Sequence, residues 1–188
     1  MSNELRIIAG RFKQRKIKAP KGEDTRPTSS KVREALFSIL FGRLEGAIVL
    51  DLFAGSGALA IEAISRGADF AVLCDKNKRA ISTISDNIKN LGIEENIRII
   101  AYSWEKALEI ISEEGIKFDI IFLDPPYGLD IEPILKKIFY YTLLKKDGII
   151  SVEHDIVNEI NPQELFAVIK EKRYRNTVIT LLKQEDQL

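Results

Sequence analysis

Several things are scarce in this chain of 188 residues, and each scarcity removes a class of protein. There is one cysteine, Cys74, so no intramolecular disulfide can form. Its place in the apolar run Phe70-Ala71-Val72-Leu73 predicts a reduced, buried thiol. There is one histidine, His154, with no cysteine or second histidine at ligand spacing. That excludes the common zinc arrangements and makes His154 an ordinary residue near a strand end; no metal is expected. No run of about 18 apolar residues occurs, and the first thirty residues lack the apolar core of a secretory signal. The expectation is a cytoplasmic chain without a membrane segment. Internal repeats and low-complexity tracts are also absent.

Net charge is lacking as well: 28 bases balance 28 acids. The balance hides an uneven distribution. Residues 1–33 carry ten bases (Arg6, Arg11, Lys13, Arg15, Lys16, Lys18, Lys21, Arg26, Lys31 and Arg33) against three acids (Glu4, Glu23 and Asp24). A basic arm is therefore joined to an acidic body, an electrostatic footprint suited to phosphate backbones, with a solvated surface hairpin as the alternative. What the chain does have is apolar material, 45% of its residues, enough for one globular domain with a small appendage.

Leu5 to Ala9 and Gly10 to Lys18 predict a small β-hairpin, followed by a connector at Ala19-Pro20-Lys21-Gly22-Glu23-Asp24. After Arg26-Pro27-Thr28 a serine pair offers an N-cap, and Val32, Ala35, Leu36, Ile39 and Leu40 recur at helical spacing up to Gly42. Apolar runs at about 47–53, 69–74, 96–102, 118–123 and 148–153 then alternate with helical patterns near 58–66, 77–91, 104–114 and 130–141. Such alternation predicts a parallel sheet with helices on both faces. A short helix around Pro162 to Phe166 is expected next. Two extended runs, 167–174 and 177–183, split by Arg175-Asn176, then predict a closing antiparallel hairpin at a sheet edge.

The most informative stretch is Asp124-Pro125-Pro126-Tyr127, at the exit of the run Phe118-Asp119-Ile120-Ile121-Phe122-Leu123. Two prolines cannot donate to a ladder, so the strand must end there. It presents a carboxylate, backbone carbonyls and an aromatic ring together. That set fits a nucleobase, with Tyr127 stacking on its face while Asp124 and a proline carbonyl accept hydrogen bonds from an exocyclic amine. An ordinary strand-to-loop turn is the plainer reading of the same residues.

Ligands of open α/β sheets sit beyond the carboxyl ends of the strands. The first run leads into Asp51-Leu52-Phe53-Ala54-Gly55-Ser56-Gly57-Ala58, where glycines let backbone approach a ligand at a helix N-terminus. The loop also satisfies a loose dinucleotide fingerprint, with Asp75 in the ribose position, so an NAD-dependent oxidoreductase remains an alternative. Asp51 argues for a different cofactor. A carboxylate just before the loop repels a pyrophosphate but suits the ammonium of S-adenosylmethionine. Asp75 can accept both ribose hydroxyls or serve as a helix N-terminal acid. Ser103 and Trp104 end the third run and can face the adenine, although Trp104 can equally be core. Glu153 can contact the base or the cofactor, with a solvated acid as the favoured reading.

Leu50 to Glu62 together with Asp124-Pro125-Pro126-Tyr127 resemble the cofactor and catalytic motifs of methyltransferases acting on exocyclic amines. More narrowly, Arg6-Ile7-Ile8-Ala9-Gly10, Arg26-Pro27-Thr28, Arg33-Glu34-Ala35-Leu36-Phe37 and Glu62-Ala63-Ile64-Ser65-Arg66-Gly67-Ala68 resemble the bacterial family that methylates a guanine N2 in 16S ribosomal RNA. The resemblance spans nearly the whole chain. It implies a Rossmann-like class I methyltransferase with a mostly parallel seven-stranded sheet, an antiparallel C-terminal hairpin and a small basic N-terminal hairpin. It further implies an RNA-binding arm at 1–25 and a transferase domain at 26–188, acting as a monomer on 16S ribosomal RNA, free or within an assembling small subunit. S-adenosylmethionine would be held by Asp51, Phe53, Gly55, Ser56, Gly57, Asp75, Ser103 and Trp104, and the amine by Asp124, Pro125, Pro126 and Tyr127. Arg11, Arg15, Lys16, Arg26, Thr28 and Arg33 would contact substrate. Ser103 departs from the pattern, since relatives often place an acid there against the adenine amine. The Asp-Pro-Pro-aromatic motif is shared with adenine-N6 enzymes, which stay open as the neighbouring alternative, and a non-catalytic RNA-binding module would not need it.

Overall fold

The computed structural model describes residues 4–20, 30–157, 160–162 and 164–185. Five parallel strands, β3 (Ile48–Asp51), β4 (Phe70–Cys74), β5 (Ile97–Ile100), β6 (Phe118–Leu123) and β7 (Leu144–Asp155), form one sheet with β8 (Phe166–Tyr174) and β9 (Thr177–Gln184). Their spatial order is β5-β4-β3-β6-β7-β9-β8. The last two run antiparallel, as the split at Arg175-Asn176 predicts, and β9 inserts between β7 and the edge strand β8.

Short β-branched runs buried on both faces need a helix layer on each side. On one face α1 (Ser30–Ile39), α2 (Ala58–Ser65) and α3 (Lys78–Leu91) pack on Val49, Leu73, Ile120 and Phe122. On the other, α4 (Trp104–Glu113) and α5 (Glu132–Tyr140) pack on Leu50, Val72, Ile121 and Ile150. Residues that alternate along one strand thus belong to different cores. Cys74 is buried and unbridged, and burial pushes its thiol up, so it behaves as a small apolar side chain. Among the described residues no helix is long and apolar enough to cross a membrane.

Two expectations need correction. The helix expected around Pro162 to Phe166 falls partly on Gln163, outside the described residues. Its described part is a single turn closed by the Leu165 N–H to the Pro162 carbonyl. Glu164 sits at φ +48°, which no α-helix continues through, and Phe166 already opens β8, with its ring edge-on to Phe139. The first strand is also shorter than expected: β1 covers Glu4–Arg6 and pairs antiparallel with β2 (Lys16–Lys18).

Past Ile7, whose N–H still donates across the hairpin to the Arg15 carbonyl, the donors that would extend β1 are diverted. The N–H groups of Ile8 and Ala9 donate to the two carboxylate oxygens of Glu62 on α2, at 2.8 and 3.0 Å. Ser65 continues the seam: its hydroxyl accepts from Phe12 N–H and donates to the Ala9 carbonyl, and its own carbonyl accepts from Arg11 N–H. Glu62 is 1% exposed and also binds Arg66 Nε at 2.7 Å. Gly10, at φ +80°, lies so close to Ser65 that a Cβ would overlap its carbonyl. The hairpin is therefore clamped onto the body, and its Ile7 and Ile17 are part of the same core as α1 and α2.

A buried carboxylate with three donors cannot be lost cheaply. Glu62→Ala is expected to lower unfolding stability by about 3 kcal/mol or more, because two backbone donors and Arg66 lose their partner. Urea denaturation reads this directly. A variant as stable as the parent would show that the clamp contributes nothing.

Candidate active site

Strands β3 and β6 are neighbours, with Asp51 in register with Phe122. The chain leaves the sheet in opposite directions on either side of that pair, which opens a crevice at the carboxyl ends. The resulting cleft, of about 1800 Å³, collects Asp51, Phe53, Gly55 and Ser56 from the β3–α2 loop, and Asp75 after β4. Ser103 and Trp104 join them at the start of α4, and Asp124, Pro125, Pro126 and Tyr127 after β6.

The loop is built to bring backbone close. Gly57 stands at φ +77° against Leu73, where an added Cβ would lie 3.0 Å from Leu73 Cδ2; it packs under the loop and does not line the cleft. Gly55 is also in the left-handed region, at φ +54°, and faces open space. Asp75 braces the loop from below, its carboxylate accepting Gly55 N–H at 2.9 Å and Asn77 N–H at 2.8 Å.

Asp51 is the electrostatic anomaly. It is 1% exposed, and neither carboxylate oxygen reaches a donor with hydrogen-bond geometry. Its pKa is pushed up to about 7, first by burial and then by the charge of Asp124, with Asp75 adding a smaller push. The backbone N–H groups of Ala60 and Phe53 offset only part of this. A buried carboxylate approached only by two poorly aligned backbone N–H groups, among two further carboxylates, is a place for a cation.

On the acceptor side, Tyr127 is 70% exposed at the cleft mouth, its ring available for stacking. The Pro126 carbonyl is occupied by Leu129 N–H at 3.2 Å. Among the described residues no donor meets the Pro125 carbonyl, which leaves it an open acceptor between the half-buried Asp124 and Tyr127. Trp104 packs on the α4–α5 core and also lines the cleft. Ser103 holds the N-cap position of α4 without a side-chain capping bond. Glu153, expected in solvent, is half-buried and lines the cleft with His154, whose Nε2 lies 2.9 Å from Thr180 Oγ1.

The basic residues are not gathered there. Arg33 lines the cleft but is 1% exposed; its Nη2 donates to the Arg6 carbonyl at 2.5 Å, while Nε and Nη1 make no hydrogen bond. Burial draws its pKa down and the neighbouring Glu62 holds it up. Arg15 Nη2 donates to the Asn90 carbonyl in the last turn of α3, at 2.6 Å, and Lys16 pairs with Glu4. Arg11 and Arg15 both lie over the Phe12 ring, 4.7 and 5.7 Å from its centroid. Since the start of α3 borders the cleft, this hairpin tip lies one helix length away, roughly 20 Å at the helical rise. Arg26 and Thr28 lie outside the described residues.

Sequence reasoning missed Asn87. It is 1% exposed, donates to the Lys18 and Ser56 carbonyls, and accepts Lys18 N–H at 2.8 Å. One amide thus joins β2, α3 and the glycine loop. Its signal was a polar residue bordering the apolar stripe Ile84-Ile88-Leu91 of a helix.

This sheet order, with a glycine loop after the first parallel strand, an acid after the second and Asp-Pro-Pro-Tyr after the fourth, is that of a Rossmann-like class I methyltransferase fold. The chain belongs to the family described as "Conserved hypothetical protein 95", whose sequence model matches residues 5–183. It is 40% identical over 152 residues to "Putative rRNA methyltransferase YlbH" of Bacillus subtilis (strain 168), covering 80% of this chain and 83% of that one. It is 33% identical over 159 residues to "Ribosomal RNA small subunit methyltransferase D" of Escherichia coli (strain K12), covering 84% and 78%. The solved structure titled "Putative methyltransferase yhhF from Escherichia coli" superposes with a TM-score of 0.83 at 30% identity, over 98% of this chain and 99% of that one.

Asp51 makes stability depend on pH with an unusual sign. Between about pH 4 and 7 the folded chain keeps a proton that the unfolded chain has released, so stability falls as pH rises through that window. The Asp51→Asn variant is expected to gain over the parent on going from pH 5 to pH 8, by on the order of 3 kcal/mol at most. Urea unfolding of both proteins at the two pH values measures it; a gap that stays constant would refute the buried charge.

Proposed function

We propose that this protein transfers a methyl group from S-adenosylmethionine to the exocyclic N2 amine of a guanine in small-subunit ribosomal RNA. The observation that carries the reading is the convergence, at adjacent strand ends, of an unpartnered buried Asp51 with Asp124, the Pro125 carbonyl and an exposed Tyr127. The methyltransferase and ribosomal RNA names of relatives that share most of the chain support it.

The cleft suits a cationic cofactor better than a dinucleotide, because Asp51, Asp75 and Asp124 would repel a pyrophosphate. Asp51 would hold the methionine ammonium and Asp75 the ribose, with Phe53, Ser56, Ser103 and Trp104 around the nucleoside. Gly55, with nothing where a side chain would stand, leaves room for it. When bound, S-adenosylmethionine supplies an electrophilic methyl on a sulfonium centre.

The residues of the chain do the rest. The amine of guanine is a poor nucleophile because its lone pair is delocalised into the ring. Asp124 and the Pro125 carbonyl accept its two N–H bonds, which draws the nitrogen toward a tetrahedral shape and aims its lone pair at the methyl. Tyr127 stacks on the base and fixes its plane. The proton released as the new C–N bond forms passes toward Asp124 and from there to solvent at the open cleft mouth. A base stacked within a duplex cannot reach Asp124, so the guanine comes from a loop or is flipped out. Residues 1–25 act as the RNA-binding arm, 26–188 as the transferase domain, and the protein works as a monomer.

Asp124→Ala is expected to keep S-adenosylmethionine affinity within a few-fold, by calorimetric titration, while methyl transfer falls by orders of magnitude. Incubating the protein and S-adenosylmethionine with unmodified small-subunit RNA, free and as ribonucleoprotein, and identifying nucleosides by mass spectrometry tests the whole reading. N2-methylguanosine is the expected product. N6-methyladenosine would keep the mechanism and move the target to adenine, and no methylated product from either substrate would overturn the proposal.

A further inference from the structure

The N-terminal hairpin tip lies about a helix length from the cleft, so Arg11 and Arg15 cannot hold the phosphates next to a base seated at Tyr127. Lys31 and Lys76 line the cleft on the α1 and β4 side, and the flank beyond Asp124, the β6–β7–β9 half of the sheet, needs cations of its own. The tip of the β8–β9 hairpin stands there. From the end of β6 to β9 is two strand spacings, roughly 10 Å, and Arg173, Tyr174 and Arg175 line the same cleft as Asp124 and Tyr127.

The tip's chemistry differs from its surroundings. Asp124, Asp130, Glu132, Glu153 and Asp155 make the nearby cleft wall acidic, so a phosphate is repelled everywhere on it except where cations stand. Strand β8 and its turn supply Lys170, Lys172, Arg173 and Arg175, all exposed, against one acid, Glu171. Arg173 shares an exposed ion pair with Glu171, a contact a phosphate can readily replace. Arg175 makes no ion pair among the described residues and sits at φ +53°, a left-handed position that glycine or asparagine would fill with less strain. Tyr174, half-buried between the two arginines, gives the patch an aromatic element. The tip is also held in place: Ile156 N–H donates to the Asn176 carbonyl at 2.9 Å, which sets the exposed side chains of Ile156 and Val157 beside it.

We propose that the β8–β9 tip, Arg173-Tyr174-Arg175, is the surface that grips the single RNA strand flanking the reacting base. Its cations meet the phosphates, and Tyr174 with Ile156 and Val157 offers an apolar face for sugar or base. The N-terminal hairpin tip then serves a separate, more distant segment of a longer RNA. This inference rests on the proposed function, since it presumes an RNA substrate at Tyr127.

The test measures binding by fluorescence anisotropy over a salt series. The ligands are a labelled single-stranded RNA of about ten nucleotides with one central guanine, and full-length small-subunit RNA. The proteins are the full chain, Arg173→Ala/Arg175→Ala, Arg11→Ala/Arg15→Ala, and Arg173→Lys/Arg175→Lys. The β8–β9 variant is expected to bind the short RNA about tenfold more weakly, with its log affinity against log salt slope reduced by about 1 to 2. The lysine version restores that slope. Changing the N-terminal pair leaves short-RNA affinity within about twofold and weakens only the long RNA. A β8–β9 alanine variant that binds the RNAs held by the parent with unchanged affinity and slope overturns the inference. A parent that binds neither RNA overturns the functional reading itself, a distinguishable failure. All four substituted side chains are exposed, so matching thermal transitions exclude misfolding as the cause.

Discussion

Parallel pairing of β3 with β6 is the constraint on which the rest of this molecule depends. It sets the end of one strand, carrying Asp51, beside the end of another, carrying Asp124, although 73 positions separate them in the chain. Backbone crossovers leave on opposite sides of that pair, and the crevice between them needs no further device. The electrostatic cost is visible in Asp51, buried without a well-aligned donor and raised to a pKa of about 7 beside a second acid. A purely structural residue at that point would be apolar, so the strain argues for a bound cation.

The same crevice is steadied from a distance. Glu62 and Ser65 clamp the hairpin to α2, whose N-terminus is the glycine loop, and Asn87 ties β2 to the Ser56 carbonyl within that loop. The hairpin is fastened mainly through its backbone groups, with Arg15 to Asn90 and Lys18 to Asp86 as side-chain ties, and its cationic side chains stay on the surface. Its long axis runs from the cleft, where Leu5, Ala19 and Pro20 form part of the wall, to the tip at the far end of α3. One rigid piece thus carries charge well away from the chemistry, while the β8–β9 tip carries charge close to it.

Element by element, the local rules read well where period and punctuation agree. The α2, α3, α4 and α5 patterns and the five parallel runs fall within a few residues of their expected limits, since apolar period and flanking glycine or proline point the same way. They misread Pro162 to Phe166 because Phe166 is claimed by the β8 ladder and by Phe139, contacts no local window contains. They overran β1 because Glu62, more than fifty positions away, takes the hydrogen bonds of Ile8 and Ala9. At the site, the Asp-Pro-Pro-Tyr turn and the glycine loop were legible from residue type alone. The depth of Asp51, the burial of Arg33 and the place of Asn87 were not.

By itself, then, the sequence determined the succession of elements, the two motifs at strand ends and the basic bias of the first 33 residues, because each is written in neighbouring side chains and their periods. Only the tertiary structure decided which of those features meet. Burial, which raises Asp51 and withdraws Arg33 from solvent, is a property of what packs around a side chain. Distance, which sends Arg11 and Arg15 away from the cleft and brings Arg173 and Arg175 to it, is set by how strands order themselves in a sheet. Neither quantity is local in the chain, and so neither could be read from it.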